Sequence, residues 1–64
     1  MDIYFYLLGH GVIAYRYSEL IPSVKDKITF ENMETTDYIV IYRRLVYKED
    51  KIAVHVFMQE DKQK

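Results

Sequence analysis

Two histidines, an adjacent arginine pair and seven tyrosines are the side chains in this sequence with the most chemistry to offer. His10 lies between Gly9 and Gly11, and His55 between Val54 and Val56. A catalytic histidine needs a nucleophile and an orienting partner, and a metal site needs further ligands at set spacings. Neither spacing occurs, so no catalytic, cofactor or metal residue is assigned and the chain is not expected to be an enzyme. Glu31, Glu34 and Asp37 gather in one polar stretch, the composition of a solvated loop. Gly9-His10-Gly11 joins two apolar runs with no following helix to hold a phosphate, so it reads as a turn.

Arg43 and Arg44 interrupt an apolar run from Tyr38 to Tyr47. Adjacent strand residues point to opposite faces, so one arginine must face the core unless a β-bulge intervenes. A bulge at Arg43-Arg44 is the expected solution. Seven phenol rings exceed what a core of this size can enclose, and exposed aromatic area marks binding surfaces. Arg16, Tyr42, Arg44, His55 and Phe57 are therefore the candidate partner-binding residues.

These residues sit on elements that read as strands. Tyr38–Tyr47 and Ile52–Met58 are rich in β-branched and aromatic types, and Lys48-Glu49-Asp50-Lys51 supplies a four-residue turn between them. Pairing Tyr47 with Ile52 sets Arg44 opposite His55 and Tyr42 opposite Phe57. One face, with Ile41, Leu45, Val54, Val56 and Met58, is expected to build the core. The other carries Val40, Tyr42, Arg44, His55 and Phe57. Ile3–Leu8 and Val12–Tyr17 form a second hairpin about the glycines, with Leu7 opposite Ile13 and Phe5 opposite Tyr15 for a three-residue loop, or that register moved by one for a two-residue His10-Gly11 loop. Ile28–Glu31 alternates apolar and polar residues as a strand with one wet face. Pro22 interrupts pairing before it, and Asn32–Asp37 reads as a connecting loop.

Sixty-four residues make one small domain, expected over residues 1–58, with 59–64 as a polar, frayed tail. Five strands with regular turn signals imply an all-β fold: a small five-stranded antiparallel SH3-like barrel or a strongly curled sheet. Cysteine is absent, so disulfides and thiolate metal sites are excluded, and self-association is the remaining way to reinforce so small a core. The short apolar run after Met1 has no basic start and is too short for a membrane span, which predicts a cytoplasmic protein without a membrane partner. A formal charge of −1 argues against a chain devoted to neutralising phosphates.

The segment Ile21-Pro22-Ser23-Val24-Lys25-Asp26-Lys27-Ile28-Thr29-Phe30, followed by Tyr38–Ile41, resembles the P-x-V-G-D-x-I-x-F lead-in to a strand in short bacterial and phage proteins with SH3-like barrels. Lys25 stands where that pattern usually has glycine. The resemblance implies a bacterial or phage origin and carries over no functional residue. The function expected is a small interaction module that binds a protein partner or its own copy through the aromatic and arginine-bearing face. The alternative is a barrel binding single-stranded nucleic acid, with Tyr15, Tyr17, Tyr42 and Phe57 stacking on bases and Arg16, Arg43, Arg44 and Lys48 meeting phosphates.

Overall fold

The computed structural model describes residues 1–31 and 36–62. Five strands follow in chain order: β1 (Asp2–Leu7), β2 (Gly11–Tyr17), β3 (Lys27–Thr29), β4 (Asp37–Tyr47) and β5 (Ile52–Glu60). They form one sheet in the order β2-β1-β5-β4-β3, and the sheet curls into a half-barrel. The all-β, five-stranded, curled architecture is thus the one expected. The sheet is mixed, however. β5 runs antiparallel to β4 but parallel to β1, with Ile3 beside Val54 and Phe5 beside Val56. β5 can take this central place because Ala53, Val54, Val56 and Met58 let it be buried between two neighbours, and all four are fully buried.

The inner face holds the core. Ile3, Phe5, Val40, Val54, Val56 and Met58 pack there against Phe30, whose ring meets Phe5 edge-on at 5.2 Å. Ile13, Ile21, Ile28 and Tyr38 close the sides. The corner after Pro22 is tied to β4 by hydrogen bonds from the Lys25 N–H to the Val40 carbonyl (2.8 Å) and from the Val40 N–H to the Asp26 carbonyl (2.9 Å). Lys25 makes that corner at φ 79°, the left-handed conformation in which glycine is the unstrained residue.

Two bulges decide which side chains share a face. In β2, Ile13 is the extra residue between the pairs Phe5–Ala14 and Tyr6–Val12, and Leu7 sits opposite Gly11. Neither expected register of this hairpin occurs. The loop is Leu8-Gly9-His10, and Gly9 and Gly11 both take positive φ, at 84° and 86°. In β4, the extra residue is Ile41, between Val40–Met58 and Tyr42–Phe57, so the bulge expected at Arg43-Arg44 lies further back along the strand. The β4–β5 turn and register do match expectation: Tyr47 faces Ile52, Arg44 faces His55, and the Lys48 N–H donates to the Lys51 carbonyl at 2.8 Å.

The Ile41 bulge corrects the expected division of faces. Val40 lies in the core instead of on the aromatic face, while Leu45 is on the inner side but half-exposed beyond the core's end. Of the tail expected at 59–64, residues 63–64 lie outside the described residues. Gln59 and Glu60 continue β5 opposite Ile39 and Tyr38, the Asp61 N–H donates to the Asp37 carbonyl, and Asp61 pairs with Lys27 at 3.3 Å. Of the loop expected over Asn32–Asp37, Asp37 begins β4 and residues 32–35 lie outside the described residues. No helix of the described residues is long and apolar enough to cross a membrane.

Candidate interaction face

The outer face of the sheet is an aromatic surface spread over four strands. β2 contributes Tyr15, β1 contributes Tyr4 and Tyr6, β5 contributes His55 and Phe57, and β4 contributes Tyr42 and Arg44. The pairing aligns them in two rows, one running Tyr15, Tyr4, His55, Arg44 and the other Tyr6, Phe57, Tyr42. Ring centroids are 4.7 Å apart for Tyr6–Phe57 and 4.5 Å for Tyr42–Phe57, with interplanar angles of 20° and 13°.

Those separations are close to the spacing between neighbouring strands. Rings that repeat at the strand spacing and lie nearly parallel must have their faces turned along the sheet, toward one another. They stand upright and offer their edges to solvent. The Arg44 guanidinium lies 5.5 Å from the Phe57 centroid and adds a cation beside the stack. Tyr4 continues the first row, at 5.1 Å from Tyr15 and 5.7 Å from His55, and the Tyr6–His55 contact at 5.0 Å links the two rows.

The charges around this ladder are ordered. Tyr15 donates its hydroxyl hydrogen to the Asp2 carboxylate, and Lys51 pairs with the same carboxylate at 3.5 Å. The hydrogen bond from Tyr15 and then the Lys51 charge hold the Asp2 carboxyl below its ordinary range, while the carboxylate pushes the Tyr15 phenol up to about 12. His55 is held below its ordinary value first by burial and then by the charges of Arg44 and Lys48. Its Nδ1 is buried and has no hydrogen-bond partner.

Four of the five candidate residues, Tyr42, Arg44, His55 and Phe57, stand together on this face. Arg16 does not. It pairs with Ile3 on the inner side, its guanidinium lies 5.5 Å from the Phe30 centroid, and its Nη1 donates to the Tyr15 carbonyl. Arg43 is on the inner side too, donating to the Pro22 carbonyl at 3.1 Å. Tyr4, Tyr6 and Tyr15 belong to the face and were not among the five partner-binding candidates, Tyr15 having been named only as a base-stacking residue of the nucleic-acid alternative. Alternation within β1 groups Tyr4 with Tyr6, but only the parallel β1–β5 seam sets them beside His55 and Phe57.

His10 is exposed in the first turn, remote in the fold from the mid-strand His55. Among the described residues no group of three or more histidine, aspartate or glutamate side chains could hold a metal ion. No family model, curated protein or solved structure matches the chain.

Proposed function

We propose that this chain is a small protein-interaction module whose outer sheet face docks on an apolar protein surface with an acidic group near Arg44. The observation that carries the reading is the upright stack Tyr42–Phe57–Tyr6. Its rings spend their faces on one another, so they offer a ridged apolar surface that suits side-chain packing. A platform for nucleic-acid bases needs ring faces open to solvent. Among the described residues, the stack has no ring against its two end faces, that of Tyr42 at the β4 end and that of Tyr6 toward Val12 of β2. The flanking Arg44 and Lys48 supply the charge that selects an acidic partner over a basic one.

A binding role also accounts for aromatic residues kept where water reaches them: Tyr42 and Tyr15 remain 48% and 46% exposed. The cysteine-free composition accords with a cytoplasmic setting.

The test compares the parent with Tyr42→Ala and Arg44→Glu in capture from host lysate, followed by titration with the purified captured protein. Both variants should keep the fold and lose at least tenfold in affinity, since aromatic and arginine anchors dominate such interfaces. Amide shifts on titration should centre on β4 and β5. Unchanged affinity in both variants would overturn the assignment of this face. Tight binding of single-stranded oligonucleotides at low salt would overturn the preference for protein.

A further inference from the structure

The side of β4 turned away from β5 is paired over its first residues only. β3 covers Asp37–Ile39, and Lys25 and Asp26 bond to Val40. From the Ile41 bulge to the turn at Lys48 no strand of the described residues lies alongside. The Lys48 N–H points toward the β5 side, as its bond to Lys51 shows. By alternation along the strand, the N–H and C=O groups of Arg43, Leu45 and Tyr47 point the opposite way, out from the sheet edge. Their side chains extend past the core, with Leu45 49% and Tyr47 73% exposed. An edge of this kind is a template for another strand.

We propose that two copies of the chain pair antiparallel along β4, about a two-fold axis at Leu45. In that register Arg43 faces the partner's Tyr47, Tyr42 faces the partner's Lys48, Arg44 faces the partner's Val46, and the two Leu45 side chains meet at the axis. Each copy thus sets cations against the other's rings, and no like charges meet. Registers one step away fail on charge. Centring on Arg44 opposes the two Arg44 guanidiniums, and centring on Val46 opposes Arg44 to the partner's Lys48. Centring on Arg43 opposes the two Arg43 side chains, while centring on Tyr47 runs off the end of the strand.

The outward-pointing pairs of the favoured register would exchange about six backbone hydrogen bonds. The edge is short, so the dimer belongs to the weak, concentration-dependent class of interfaces. It runs along the β4 edge rather than across the ladder, with Tyr42 and Arg44 bordering both surfaces, and it does not rest on the function proposed above.

The test is sedimentation equilibrium on the parent, on Leu45→Lys and Leu45→Glu separately, and on an equimolar mixture of the two variants. Leu45 lies outside the core, and both variants should give the parent's circular dichroism. The parent should dimerise as concentration rises. Each variant alone should associate about tenfold more weakly or worse, because like charges then meet at the axis. The mixture should regain association through a Lys–Glu pair. A parent that stays monomeric to about 1 mM, variants that associate like the parent, or a mixture no better than its components would each overturn the proposal. Should either variant fail to fold, amide hydrogen exchange on the parent decides. Protection at Arg43, Leu45 and Tyr47 must rise with protein concentration, and flat exchange at these amides would overturn the pairing.

Discussion

Replacing His55 by phenylalanine should make the protein more stable, and the advantage should grow as the pH falls. His55 stands among the rings of Tyr4, Tyr6 and Phe57, at centroid distances of 5.7, 5.0 and 6.5 Å, with Arg44 opposite on β4. A phenyl ring has nearly the same outline and suits these neighbours. The histidine's Nδ1 is buried without a partner, and an unsatisfied buried polar atom costs about 1–3 kcal/mol. The residue as a whole is only half-buried, so the lower end applies, about 1 kcal/mol at neutral pH. For a domain of this size that is a rise in Tm of about 4–8 °C.

The pH dependence follows from the lowered His55 pKa, caused by burial and then by Arg44 and Lys48. As pH falls, the unfolded chain takes up the proton before the folded protein does. The stability that neutral His55 permits is complete above the ordinary value of 6.5 and is lost as pH falls toward the folded value. Phenylalanine takes up no proton, so this part of the loss disappears. Urea unfolding of both proteins at about pH 8 and about pH 5 measures the difference. A phenylalanine variant that is less stable at the higher pH and falls off as steeply as the parent would refute the reasoning.

Lys25→Gly should stabilise the chain, because an L-residue in the left-handed region costs about 1–2 kcal/mol and the added freedom of the unfolded glycine returns about 0.4–1 kcal/mol. Thermal unfolding should show a higher Tm for Lys25→Gly and little change for Lys25→Ala, and a lower Tm for the glycine variant would contradict the φ of 79°. Asp2→Asn should bring the Tyr15 phenol down from about 12 toward its usual 10, as seen in the ultraviolet absorbance of phenolate against pH. An unchanged tyrosine titration would show that the Asp2 carboxylate is not what holds the proton. The Asp2 contribution to stability has the sign of a lowered carboxyl: present above the ordinary 3.8 and lost as pH falls through the depressed value.

Much of the β4–β5 hairpin was legible along the chain. Its charged four-residue turn and its two β-rich arms settle which residues face each other near the turn, and Tyr42–Phe57 and Arg44–His55 follow by counting back from Tyr47–Ile52. Counting fails one residue further, at Ile41. A single inserted residue reverses the alternation, which is why Val40 and Tyr42 lie on opposite faces although they are two apart. Nothing in the local sequence marks Ile41 over Arg43-Arg44 as the bulge, because both bend the strand equally well. In the first hairpin the loop falls one residue earlier than the two glycines suggest, at Leu8-Gly9-His10, and the insertion at Ile13 shifts the register once more, so neither simple register occurs. Arg16 reads as a surface arginine by type, yet it sits on the inner side opposite Ile3, with its guanidinium near the Phe30 ring.

The sequence by itself determined the all-β class, the five strands, the charged turn and the surplus of aromatic rings, because these follow from local composition and alternation. Beyond the two hairpins, tertiary structure alone decided which strands are neighbours. Parallel pairing of β1 with β5 depends on the whole intervening chain returning to one place. No periodicity within either strand encodes it. That seam, together with the Ile41 bulge, turns scattered tyrosines into one ladder, since ring stacking across a sheet needs neighbours at the strand spacing and on the same face.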